Sequence, residues 1–171
     1  MISTIEALCA ETHNYFETSK EIGDYKIEGG MISLPFLEIG QFFRIVGSKF
    51  NDGVYIYGQD FLIRDASWKD VLKDNPDWSA VSENEWGSLK HIDLIDETFH
   101  GAIWPMAIPR AFLELGQEVE EYNNSEESKP SPYTSESIGG HYSYTKANAT
   151  DNSWQKVFLI KLRRFRKAAN I

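Results

Sequence analysis

A single cysteine, Cys9, is all the thiol chemistry these 171 residues hold. That excludes a disulfide framework within the chain and any zinc cluster built from several thiolates. Cys9 falls on the apolar side of a helical pattern, so it is expected to be a buried structural thiol, not a nucleophile. No apolar run approaches the ~18 residues of a membrane-spanning helix, and no membrane partner is expected. The first residues lack a basic stretch followed by an apolar one. The chain is therefore expected to carry no secretion signal and to be a soluble protein made in the cytoplasm. Positive charge is scarce, with 17 basic residues against 26 acidic and a net charge of −9. The surface as a whole is poorly suited to nucleic acid or anionic lipid.

Catalytic signatures are also missing. Ser135 and Ser137 are not set in a G-x-S-x-G elbow, and no His-Asp pair is marked out beside them. Gly139-Gly140 is followed by no G-K-[ST], so it is not a phosphate loop. His13, His91, His100 and His141 have no metal-ligand spacing. The adjacent carboxylates Asp96/Glu97 and Glu120/Glu121 read as solvated surface, and Asp96-Glu97-Thr98 as an Asx or capping turn. No catalytic residue, cofactor or metal is expected, and the chain is not expected to be an enzyme.

What is present is a folding composition, 42% hydrophobic and 13% aromatic, long enough for one domain or one domain with an insert. Residues 3–18 read as a helix. Ser3 and Glu6 stand at capping-box spacing, Ile5, Leu8, Cys9, Thr12, Tyr15 and Phe16 share a face, and Gly23 ends the pattern. Gly29-Gly30 lies between two β-prone runs, and "NDG" at 51–53 separates "QFFRIVGSKF" from "GVYIYG"; both are hairpin signals. Residues 66–90 read as a loop with a short helix, and Ile92 to Trp104 as one last strand. Pro109 suits the first turn of a helix carrying Phe112, Leu115, Val119 and Tyr122 in a stripe, with Gly116 permitting close approach. Ser153 is the expected cap of a final helix in which Trp154, Val157, Phe158, Leu162 and Phe165 pack.

These elements imply an α+β fold: a small helical bundle (N-terminal, central and C-terminal helices, residues 1–23 and 105–171) interrupted by a small antiparallel β insert, residues 24–104. No internal repeat is found.

Two segments are unusual. Residues 131–146, "SPYTSESIGGHYSYTK", combine many hydroxyls with a glycine pair and almost no aliphatic side chains. A flexible linker, a serine loop and a segment that orders against a partner all fit that composition. Residues 154–171 then hold six basic residues and no acidic one, leaving 11 basic against 26 acidic elsewhere, a net of −15. Cations at the end of a helix also complement its macrodipole.

Together these two segments resemble the head-tail connector, or adaptor, proteins of tailed bacteriophages. The matches are Ser135, Glu136, Ser137, Ile138, Gly139, Tyr142 and Ser143, then Arg163, Arg164, Phe165 and Arg166. Phe165 stands where Tyr is common, and Gly140-His141 lengthens the link. "GQFFRIVGSKFNDGVYIY" and "DETFHGAIWPMAIPRA" are similar to a Gram-positive phage and prophage subgroup with a β insert after the first helix.

The resemblance implies a structural virion protein at the head-tail connector. It would form a ring, a dodecamer in that family, bind the portal, extend the channel through which viral DNA passes, and offer a platform to the next neck protein. It further implies that Ser135, Glu136, Ser137, Ile138, Gly139, Gly140, Tyr142, Ser143 and Tyr144 meet a neighbouring subunit. Arg163, Arg164, Arg166 and Lys167 would meet portal or channel DNA. Acidic channel walls would let DNA slide, and the β insert would lie outside the ring. The alternatives are another neck or tail-completion ring protein, a small hydrolase, or an acidic binding or inhibitor protein.

Overall fold

The computed structural model describes residues 1–58, 63–65, 68–72, 90–129, 135–138, 142–145 and 152–167. Its dominant element is an antiparallel sheet. The strands are β1 (Glu21–Glu28), β2 (Met31–Ile32), β3 (Phe42–Val46), β4 (Gly53–Tyr57), β5 (Ile63–Asp65), β6 (Lys90–Ile92) and β7 (Glu97–Met106). They lie in the order β2-β1-β7-β3-β4-β5-β6. The helices are α1 (Ile2–Thr12), α2 (Trp68–Val71), α3 (Arg110–Asn123), α4 (Trp154–Val157) and α5 (Leu159–Arg163). A separate hairpin pairs β8 (Ser135–Ile138) with β9 (Tyr142–Thr145).

The expected helical bundle with a small β insert is thereby corrected: the sheet is the body of the fold, and the helices pack on one of its faces. The physical reason is the alternation of the strands. On β3, Phe42 turns to the helices while Phe43 and Ile45 turn away; on β4, Val54 and Ile56 turn to the helices and Tyr57 away. The helix-side core joins Ile5, Leu8 and Cys9 of α1 and Phe112, Leu115 and Val119 of α3 to Phe42, Val54, Ile56 and Met106. It draws on residues from both the 1–23/105–171 and the 24–104 segments. The opposite face is covered by the 33–41 loop, whose Leu34 and Leu37 pack with Ile27, Phe43, Ile45, Phe99 and Ile103. Tyr57 fixes that loop, its hydroxyl accepting from the Leu34 N–H at 3.1 Å and its carbonyl from Gly40 at 2.7 Å.

Several local expectations also change. Helix α1 stops at Thr12, not at residue 18, because His13 adopts a left-handed conformation with φ 51°. Tyr15 and Phe16 keep their rings on the core side without being helical, since Phe16 too has positive φ. The N-cap is Met1, with no side-chain cap, so Ser3 and Glu6 do not form a capping box. The stretch expected as one strand from Ile92 to Trp104 is divided between β6 and β7, with the irregular residues 93–96 between them.

Gly29-Gly30 makes the expected tight turn, both with positive φ, closing the Glu28↔Met31 pair. The "NDG" turn is instead part of a longer loop, 47–52, held by side chains. Asn51 clamps the Ile95 backbone, donating to its carbonyl at 2.9 Å and accepting from its N–H at 2.8 Å. Glu97 accepts from Ser48 and from Asn51. Desolvation pushes the Glu97 carboxyl up, but hydrogen bonds from Ser48, Asn51 and the Lys49 and Phe50 N–H groups outweigh it and hold it below the usual range. Asp96 likewise accepts from the Gly30 N–H at 3.0 Å. The Asp96/Glu97 pair is thus used to tie turns together.

Strand β7 crosses β3 too closely for a side chain at residue 101. A Cβ on Gly101 would lie 2.3 Å from the Val46 carbonyl oxygen, a backbone atom that cannot swing aside. Gly101→Ala should cost about 1–3 kcal/mol through this overpacking, read as a lowered urea midpoint with an unchanged slope.

Candidate docking surface at the C-terminal segment

The last described segment, 152–167, is sewn to the end of α1. Leu162 is fully buried, and Trp154, Phe158 and Phe165 pack against the helix-side core. Phe165 meets Phe112 edge-on at 5.1 Å and Phe16 at 6.4 Å; Phe158 meets Tyr122 at 5.7 Å. Two hydrogen bonds to main-chain carbonyls close the seam: the Asn14 side-chain Nδ2 donates to that of Phe165 at 2.9 Å, and the Lys167 N–H to that of Thr12 at 3.2 Å.

The expected single helix is broken. Phe158 leaves helical geometry, with φ −96° and ψ 9°, and divides the segment into α4 and α5. Trp154, Phe158, Leu162 and Phe165 nevertheless pack as expected. Val157, expected to pack, is 52% exposed, and Ile160 is 80% exposed. Ser153 occupies the N-cap position, but its side chain makes no capping hydrogen bond.

The basic residues divide into two groups. Arg166 pairs with Glu11 at 3.0 Å, Lys167 with Glu17, and Lys161 with Glu118. Among the described residues, Lys161, Arg166 and Lys167 thus face acidic residues of their own chain. Arg163 and Arg164 are exposed and form no ion pair with any described residue; Arg164 lies 5.9 Å from the Phe165 ring. Around the break, residues 157, 160 and 164 follow helical spacing. Val157, Ile160, Arg163 and Arg164 therefore form an exposed stripe, apolar at one end and cationic at the other.

Of the expected subunit-contact residues, Ser135, Glu136, Ser137, Ile138, Tyr142, Ser143 and Tyr144 lie in the β8–β9 ladder, with Glu136 opposite Tyr144 and Ser137 opposite Ser143. Gly139 and Gly140, like His141, lie outside the described residues.

A second cluster lies between α1 and the sheet. Arg44, opposite Trp104 on β7, stacks 3.9 Å from the Tyr15 ring centroid and 5.2 Å from that of Trp104. Lys20 lies 4.4 Å from the same indole. Asp52 approaches Arg44 at 3.5 Å. Burial raises the Glu6 carboxyl, with Arg44 opposing the shift. The arrangement is a cationic strut filling the joint between helix and sheet, with its arginine taken up by aromatic rings and one carboxylate. A lone arginine within "FFRIV" is the signal that could have marked it. Two open clefts flank α1, of about 540 and 220 Å³, and share Ala7 and Trp154. Among the described residues, no three His, Cys, Asp or Glu side chains are grouped to hold a metal ion, and no helix is long and apolar enough to cross a membrane.

Comparison with protein-family models, with curated proteins and with solved structures finds no match to this chain.

Two outcomes follow from this geometry. Cys9 is buried, and burial pushes its thiol up to about 12. It should resist a disulfide exchange reagent near pH ~8 in the native protein and react fully in denaturant, because only the thiolate attacks. The Lys167 hydrogen bond holds the Glu17 carboxyl below its ordinary value. A depressed acid contributes stability above its unfolded pKa and loses it as pH falls through the folded one. The seam between the C-terminal segment and α1 should therefore loosen below about pH 4. Fluorescence of Trp154 should report this, and Glu17→Gln should remove that part of the acid dependence.

Proposed function

We propose that this chain is a non-enzymatic virion protein of the head-tail connector, an adaptor that assembles as a ring, binds the portal and carries the DNA channel toward the next neck protein. The observation that carries this reading is the pairing of the "SESIGGHYSYTK" tract with the basic-aromatic "KLRRFRK" segment, which resembles that family in both composition and order. The exposed stripe of Val157, Ile160, Arg163 and Arg164 supports it, because those side chains are left over after the segment's own fold is satisfied. An acidic partner surface would complement the arginines, which offer bidentate geometry to carboxylates. The acidic excess elsewhere suits a wall along which DNA must slide.

Arg163 and Arg164 make the cleanest test, since Arg166 and Lys167 also hold the fold together through Glu11 and Glu17. Arg163→Glu with Arg164→Glu should leave circular dichroism and melting unchanged. Single exposed ion pairs contribute only about 0.2–1 kcal/mol, so the double charge reversal should abolish co-sedimentation with portal where either single change weakens it. A variant that still binds portal normally would move the arginines to DNA contact or to solubility. A native chain that forms a ring but ignores portal would favour another neck or tail-completion protein.

A further inference from the structure

Strand β1 has an unfinished edge. β2 covers only Ile27 and Glu28, so residues 21–26 pair with β7 on one side and with no described strand on the other. The two-residue Gly29-Gly30 turn makes Glu28 and Met31 the pair that exchanges both main-chain hydrogen bonds. Counting back in twos, the N–H and C=O groups of Ile22, Asp24 and Lys26 point to the open edge. Ile22 there is 73% exposed.

An open edge is a template for another strand, and charges usually guard it. Here the guards are already engaged along the sheet face: Asp24 with His100 at 2.9 Å, and Lys26 with Glu28 at 2.6 Å. The same chain also carries a second pair of strands: among the described residues β8 and β9 pair only with each other, and an isolated two-stranded hairpin is marginal in water. Each of its strands has four residues, about 13 Å at the usual rise per residue, which fits within the open stretch of β1.

We propose that the β8–β9 hairpin of one copy adds to the open β1 edge, residues 22–26, of a second copy. The two surfaces are unlike, so the contact is heterologous and can repeat around a ring that closes. This rests on the ring reading above and supplies its subunit contact.

Amide hydrogen exchange on the full chain, with mass measured over a range of concentrations, tests it. In dilute protein the Gly23 and Tyr25 amides, which face β7, should exchange slowly and those of Ile22, Asp24 and Lys26 fast. As mass rises with concentration, the fast three should slow by about tenfold or more. Asp24→Pro removes one outward N–H and none that faces β7, so it should keep the circular dichroism of the native chain and hold it monomeric. The milder Ile22→Lys should weaken assembly without altering melting. Assembly that leaves the three amides fast would overturn the edge contact and leave the ring reading standing. Protection independent of concentration would mean that the hairpin covers its own chain's edge. A dimer that survives Ser137→Pro would mean that two β1 edges pair with each other. Either result would overturn the proposal. A chain that stays monomeric at every concentration would overturn the ring reading and this contact together.

Discussion

Strand β7 is the constraint on which the rest of the fold depends. It pairs with β1 over Glu21–Ile27 and with β3 over Phe42–Val46, so it lies between two strands that come far earlier in the chain. Until β7 is placed, the β1–β2 hairpin and the β3-β4-β5-β6 strands are two unconnected pieces of sheet, and the first is too small to stand alone. Its C-terminal end also sets the helical layer. Thr18 donates to the Pro105 carbonyl, and Ala107 donates to that of Phe16, which fastens the segment after α1 to the segment before α3. The helices are thus built onto the sheet and share its core. The close approach at Gly101 belongs to the same requirement, since the centre of the sheet leaves no room for a Cβ against Val46.

What could be read from the sequence, and what could not, follows from how local each signal is. The Gly29-Gly30 turn, the β3 and β4 runs and the Pro109 helix start each depend on a few adjacent residues, and each stands where the pattern puts it. Gly116 is also used for close approach, though the neighbour is the Trp68 ring, not a backbone. The layer arrangement depends on β7 meeting β1 and β3 across long stretches of chain, and nothing local records that. The helical pattern over 3–18 misled because Tyr15 and Phe16 face the core from a left-handed turn. The 154–165 pattern misplaced Val157, which is exposed although Trp154, Phe158, Leu162 and Phe165 pack where the pattern puts them. Asn51 and Glu97 were legible only as turn residues, and Arg44 only as a lone charge in an apolar run. Each matters through a single partner set brought close by the fold.

Charge shows the same division between what is used internally and what is left over. The basic C-terminal segment looks, as a string, like one patch awaiting a partner. In the fold, Lys161, Arg166 and Lys167 answer Glu118, Glu11 and Glu17, and a chain with a large acidic excess has ample carboxylates for this. Such exposed pairs add little stability each. Their effect is geometric: together with Asn14 and the aromatic contacts of Phe165, they fix the segment against α1. That leaves Val157, Ile160, Arg163 and Arg164 in a defined place, so the ordering of their backbone is complete before any partner arrives, and binding need not supply it.

The two surplus surfaces differ in a way that suits an assembly. The open β1 edge and the β8–β9 hairpin offer main-chain hydrogen bonds, which are insensitive to side-chain identity and repeat identically between copies. The stripe at α4 and α5 offers two guanidinium groups beside two aliphatic side chains, a combination that discriminates among partners by charge and shape. If both were side-chain surfaces, copies and partner would compete for the same chemistry. In the proposed assembly, where one surface takes backbone and the other carboxylate, self-association and attachment are satisfied together on one small subunit, and a change at Arg163 or Arg164 alters the second without touching the first.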